Sequence, residues 1–85
     1  MIEIKPIPSD KELRIYMLKY FLSNGFCRTT MDYAQAWCIE NLPLSPLTRE
    51  GIRAEKEYTP KLMAMAEEVR KLRFTEAREI LKREA

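Results

Sequence analysis

The chain has 85 residues, of which 46% are apolar and 33% are charged, and a net charge of +2. This size and composition predict one globular domain whose core leaves little surplus stability, so we expect self-association. They argue against a disordered chain and against a membrane span, because the longest apolar stretch, Ile15 to Leu22, is short and contains Lys19. The N-terminal residues lack the apolar core of a signal peptide, which favours a cytoplasmic location.

The N-terminal segment, residues 1–8, alternates apolar and charged side chains ahead of two prolines. This pattern predicts a short extended arm. Ser9 and Glu12 have the spacing of a capping box, so the first helix is expected to begin there and to end near Gly25. Its apolar residues cover more than one stripe, which is typical of a central helix.

A second helix is predicted from about residue 30 to residue 41, with Thr29 and Asp32 at its start. Tyr33 and Trp37 are four residues apart on this helix and can lie side by side. Such a pair could face nucleic-acid bases, but aromatic residues at helical spacing are more typical of a core, and we prefer that interpretation. The apolar face is predicted to comprise Met31, Ala34, Trp37, Cys38 and Leu42, widened by Tyr33 and Ile39.

The segment Leu42–Leu44 predicts a short non-helical connection, after which Ser45 and Pro46 start a third helix that reaches about Glu57. A leading helix followed by two short helices and a turn of three or four residues is the outline of a helix-turn-helix protein. Residues 9–57 are therefore predicted to form a tri-helical unit.

The third helix carries Arg49, Arg53 and Lys56 at i, i+4 and i+7, so the three cations share one face. Ser45 and Thr48 lie near its N-terminus, where unpaired backbone N–H groups favour a phosphate. Basic side chains on a helix can reach phosphates or guanine edges in the major groove. The predicted DNA-binding residues are Ser45, Thr48, Arg49, Arg53, Lys56 and Arg73.

An alternative interpretation is a plain solvated helix face. Glu50, Glu55 and Glu57 share the third helix and would repel phosphates, and Gly51 lowers its helix propensity. Arg73 belongs to a group of cations near a helix end, which is also the position that complements the helix dipole.

A fourth helix is predicted to start at Thr59-Pro60, with apolar residues recurring at spacings of three and four as far as Leu72. This stripe suits either the inner face of a bundle or a dimer seam. After Leu72 the apolar row shifts, which indicates a fifth helix capped by Thr75, or a bend. Residues 59–85 are thus expected to form C-terminal helices.

The residue inventory argues against catalysis and metal binding. The chain has no histidine, its two glycines stand apart, and no nucleophile motif is present. Cys27 and Cys38 are expected to be reduced structural thiols, since two cysteines alone cannot complete a zinc site. We therefore expect a protein that is not an enzyme and that uses no cofactor or metal.

Together these patterns predict one all-α domain, residues 1–85, of four or five short helices with a helix-turn-helix core and an extended N-terminal arm. The leading functional hypothesis is a small DNA-binding or regulatory protein that acts on duplex DNA and forms a homo-oligomer, with no membrane partner. The alternative is a protein-interaction module, an adaptor or inhibitor, whose apolar helix faces, with Met63 and Met65, dock a protein partner. A third hypothesis is a structural subunit of a larger assembly.

Overall fold

The computed structural model describes residues 6–42 and 48–84, and within these ranges every regular element is helical. Four α-helices and one 3-10 turn follow each other along the chain: α1 (Asp10–Asn24), the turn (Gly25–Cys27), α2 (Thr30–Asn41), α3 (Arg49–Arg70) and α4 (Phe74–Glu84). The all-α prediction is confirmed. Residues 1–5 of the predicted arm and most of the predicted helix-turn-helix connection lie outside the described residues.

The starts of α1 and α2 are the capped starts that the sequence predicts. The Ser9 side chain accepts a hydrogen bond from the backbone N–H of Glu12 at 3.3 Å. Thr29 and Asp32 form a complete capping box, in which Thr29 Oγ1 accepts from Asp32 N–H at 3.2 Å and Asp32 Oδ2 accepts from Thr29 N–H at 2.9 Å. Gly25 follows α1 with φ 60° and ψ −141°, a conformation that glycine adopts most easily.

Helix α3 is longer than the sequence predicts, and the expected helix boundary at Thr59-Pro60 is wrong. The helix runs without interruption from Arg49 to Arg70, with Pro60 inside it. The hydroxyl of Thr59 does not cap a new helix but donates to the carbonyl of Glu55, one turn earlier, at 2.6 Å. Proline removes one helix hydrogen bond, but burial on both sides of it holds the helix together: the buried residues of α3 are Gly51, Ala54, Leu62, Met65, Ala66 and Val69.

A break between α3 and α4 is present, as expected, but its details differ from the prediction. Helix α4 begins at Phe74, so Thr75 lies in its first turn and is not the residue that precedes it. The side chain of Glu76 instead accepts a hydrogen bond from the backbone N–H of Arg73 at 3.4 Å. The predicted cap by Thr75 is therefore wrong.

Helix α1 is central in this arrangement. It packs against α3 and α4, while α2 packs against α3. Tyr33 and Trp37 are buried, which confirms the core interpretation of this aromatic pair. The core residues are Leu13, Met17, Leu18, Phe21, Tyr33, Ala34, Trp37, Cys38, Leu42, Ala54, Leu62, Met65, Ala66, Val69 and Ala77.

The lengths and hydropathy of the helices also bear on membrane insertion. Across the described parts of the chain, none of the helices combines the length and the apolar character that a membrane span needs.

Candidate nucleic-acid interface

The basic row, defined here as Arg49, Arg53 and Lys56, lies on the solvent side of α3. All three side chains are exposed. At about 100° per residue, the three positions fall within an arc of roughly 60°, on the opposite side of the helix from buried Gly51 and Ala54. Packing of α3 onto the rest of the domain therefore directs the row away from the core.

The ion pairs among the described residues do not involve the basic row. The ion pairs in the described part of the chain are Arg14 with Glu84 at 2.9 Å and Lys61 with Asp10 at 3.2 Å. No member of the basic row makes an ion pair with a side chain that the structure describes. The three charges are thus available to an external anion.

Acidic residues border the basic row on α3. Glu50 and Glu57 are exposed and lie about 40° to 60° around the helix from Arg53. Glu55 is half-buried and lies on the other side of the row, toward α2. The positive electrostatic potential over the row therefore falls off quickly around the helix. An anion gains the most free energy from direct contact with the row itself.

Thr48 has a structural part at the start of α3. Its hydroxyl oxygen accepts a hydrogen bond from the backbone N–H of Gly51 at 3.0 Å, so it occupies one of the donors that a phosphate would use. The other residue predicted at this end, Ser45, lies outside the described residues.

The structure does not bring Arg73 to the basic row. Arg73 is exposed in the turn after α3, whereas Arg49 is the first residue of that helix. A helix of 22 residues is about 33 Å long, so the two arginines belong to opposite ends of the domain. Arg73 can take part only in a contact that extends along the whole of α3.

A groove adjoins the basic row on the side of α2, and the sequence interpretation missed it. This α2–α3 groove has a volume of about 630 Å³ and is lined by Met31, Gln35, Ile52, Glu55, Lys56, Thr59 and Pro60. Lys56 belongs to both the row and the groove. The α2–α3 groove also contains two of the large apolar side chains that the fold leaves exposed, Met31 at 43% and Ile52 at 39%.

The sequence does contain a signal for this groove. Met31, Gln35 and Ile39 are spaced four apart and therefore share one side of α2. The sequence interpretation placed Met31 and Ile39 on the core face, and that was wrong: Ile39 is 77% exposed. Their position beside, and not on, the stripe that contains Trp37 distinguishes them from core residues.

The two cysteines are free thiols, as predicted. Cys38 is buried, and desolvation, together with the charge of nearby Glu55, raises the pKa of its thiol to about 11. The thiol is therefore protonated at neutral pH and is a poor nucleophile. No cluster of three or more side chains that could hold a metal ion occurs among the residues that the structure describes.

The fold and the site define the chain as a small all-α domain with an exposed basic helix face beside an apolar groove. No family model matches this chain. Comparison with curated proteins and with solved structures likewise finds no match.

Proposed function

We propose that this protein binds duplex DNA through the basic row of α3. The observation that carries the proposal is the exposure of Arg49, Arg53 and Lys56 on one face without ion-pair partners among the described side chains. Exposed, unpaired cations gain free energy from phosphates because they release the counterions of the DNA.

The dimensions of the row suit a duplex. From Arg49 to Lys56 the helix rises about 10.5 Å, and one strand of a duplex carries one phosphate for about every 3.4 Å of the duplex axis. An α-helix also fits the major groove. The row therefore supports up to three phosphate contacts, which corresponds to a slope of at most about −2.7 for log affinity against log salt concentration.

This proposal needs only the exposed face of α3 and not a complete helix-turn-helix unit. Glu50 and Glu57 border the row and would lie near the same phosphates, so the binding is expected to be weak at physiological salt. A regulatory role would require the higher local concentration that a homo-oligomer gives to two or more rows on one duplex.

The test is a titration of fluorescent random-sequence duplex DNA at several salt concentrations, with the mass in solution measured alongside. The variant Arg49→Ala/Arg53→Ala should lower the affinity and reduce the salt slope by about two units, one for each lost phosphate contact. Its matched control is Arg78→Ala/Lys82→Ala, which removes the same charge from two exposed positions four apart on α4.

Two results would contradict the proposal. Absence of binding at low salt would exclude a DNA interface on this domain. Equal losses of affinity in the two double variants would show that net charge, and not the basic row, governs binding.

The alternative hypothesis is that a protein partner docks on the apolar helix faces, with Met63 and Met65. Met65 is only 8% exposed and belongs to the core, and Met63 packs against that core. On α2, Trp37 and Cys38 of the predicted apolar face are buried, whereas Met31 and Ile39 are exposed. A protein partner would therefore contact the exposed members of these faces and not Met63 or Met65.

A further inference from the structure

We propose that the α2–α3 groove docks one amphipathic α-helix of a partner protein, with acidic residues along the flank of that helix that faces α3. This interaction is additional to DNA binding. Its apolar contacts use side chains outside the basic row, whereas its charged contacts share the basic row with DNA.

The apolar side chains of the groove give the docking energy. Met31 projects from α2, and Ile52 and Pro60 project from α3, all into the same groove. The volume of about 630 Å³ lies within the range of about 300–1,000 Å³ that is usual for binding clefts. Met31 and Ile52 are large apolar side chains left in water by the fold, so a partner that covers them removes apolar surface from solvent.

The shape of the groove suits a helix. Met31 and Gln35 form one wall at a spacing of four residues, and Ile52, Lys56 and Thr59 form the other at spacings of four and three. The second wall is about 10.5 Å long, which is two helical turns. Two helical walls with an apolar groove between them are the receptor geometry of helix-in-groove recognition.

The charges beside the groove determine which helix fits. The outer edge on α3 carries Lys56 and, further out, Arg53 and Arg49, whereas the α2 wall has the uncharged residues Met31 and Gln35. The groove lining also includes the carboxylate of Glu55, which is half-buried and lies toward α2, away from the basic edge. An occupant with carboxylates on one flank at i, i+3 or i+4, and i+7 would match the spacing of the basic row. A basic flank on that side would be repelled.

The probe for this proposal is a designed peptide of 18 residues with leucines on one helix face and glutamates along one flank. A control peptide has glutamine in place of each glutamate. Titration into isotope-labelled protein, followed by NMR, gives the affinity of each peptide and the position of the contact. We expect the acidic peptide to bind about threefold more tightly or better, since three exposed ion pairs contribute even at the low end of their usual range.

The groove variant is Met31→Gln/Ile52→Gln, and its matched control is Ala64→Gln at an exposed position of α3 that does not line the groove. The groove variant should lose peptide binding and keep both its helicity and its DNA affinity, while the control keeps peptide binding. If the wild-type protein does not bind DNA, the peptide result is unaffected. Each proposal can therefore fail without the other.

The groove proposal is overturned if neither peptide binds, if the glutamine peptide binds as tightly as the acidic one, or if the groove variant binds the acidic peptide like wild type. It is also overturned if the protein is a dimer that the groove variant converts to a monomer, because a second copy of the chain would then occupy the groove.

Discussion

Pro60 provides the sharpest test of the architecture, because it lies inside a helix that the sequence alone would divide. Its ring has no N–H to donate to the carbonyl one turn earlier, and its side chain is exposed. Replacement by alanine restores the missing donor and removes the steric conflict of the ring with that turn. The change Pro60→Ala should therefore stabilise the folded protein.

The magnitude follows from helix propensity. Proline in a helix interior is about 3 kcal/mol less favourable than alanine. The ring of Pro60 also lines the α2–α3 groove, and loss of its contacts there offsets about 1 kcal/mol of that gain. The expected increase in the free energy of unfolding is about 2 kcal/mol, which corresponds to a rise in Tm of about 8–16 °C for a domain of this size.

The assay is thermal and urea unfolding followed by circular dichroism at 222 nm, with Glu67→Ala as the control at another exposed position of α3. The control should change the stability by less than about 0.5 kcal/mol. If Pro60→Ala leaves Tm unchanged or lowers it, the helix is not continuous through residue 60, and the boundary that the sequence suggests at Thr59 is real.

Two further predictions concern the turn after α1 and the thiols. Gly25→Ala should lower the free energy of unfolding by about 1–3 kcal/mol, because φ 60° with ψ −141° is strained for alanine and the new Cβ would lie 3.3 Å from Phe74. Urea unfolding measures this change. An unchanged midpoint would contradict this backbone conformation. Cys27 is exposed, whereas burial raises the pKa of the Cys38 thiol to about 11. A thiol reagent at pH 8 should therefore modify only Cys27 rapidly in the native protein, and both cysteines in denaturant. Rapid modification of both cysteines in the native protein would show that Cys38 is not buried.

The sequence predicts the fold well where local chemistry determines it. The cap at Ser9, the capping box of Thr29 with Asp32, and the end of α1 at Gly25 depend on side chains and backbone groups within three or four residues. The boundary at Pro60 fails for the opposite reason. Proline marks a helix start only as a local preference, and the burial of α3 on both sides of it depends on residues distant in sequence.

The site shows the same division between local and long-range information. Helical spacing is sufficient to place Arg49, Arg53 and Lys56 on one face. It cannot place Arg73, whose distance from that face depends on α3 continuing to Arg70. The α2–α3 groove requires both walls at once, and which flank of α2 meets α3 is a property of packing that periodicity within one helix does not contain.

Helix α4 is anchored mainly on α1, and this has a consequence for partial unfolding. Ala77 is its one fully buried residue among those described, supported by the stacking of Phe74 on Phe21 and by the ion pair of Arg14 with Glu84. The three helices before it share the rest of the core. Release of α4 alone therefore costs less free energy than global unfolding, and it exposes the side of α1 beneath it. This local opening sets the rate of amide exchange in α4. It also sets the first site that a protease can reach.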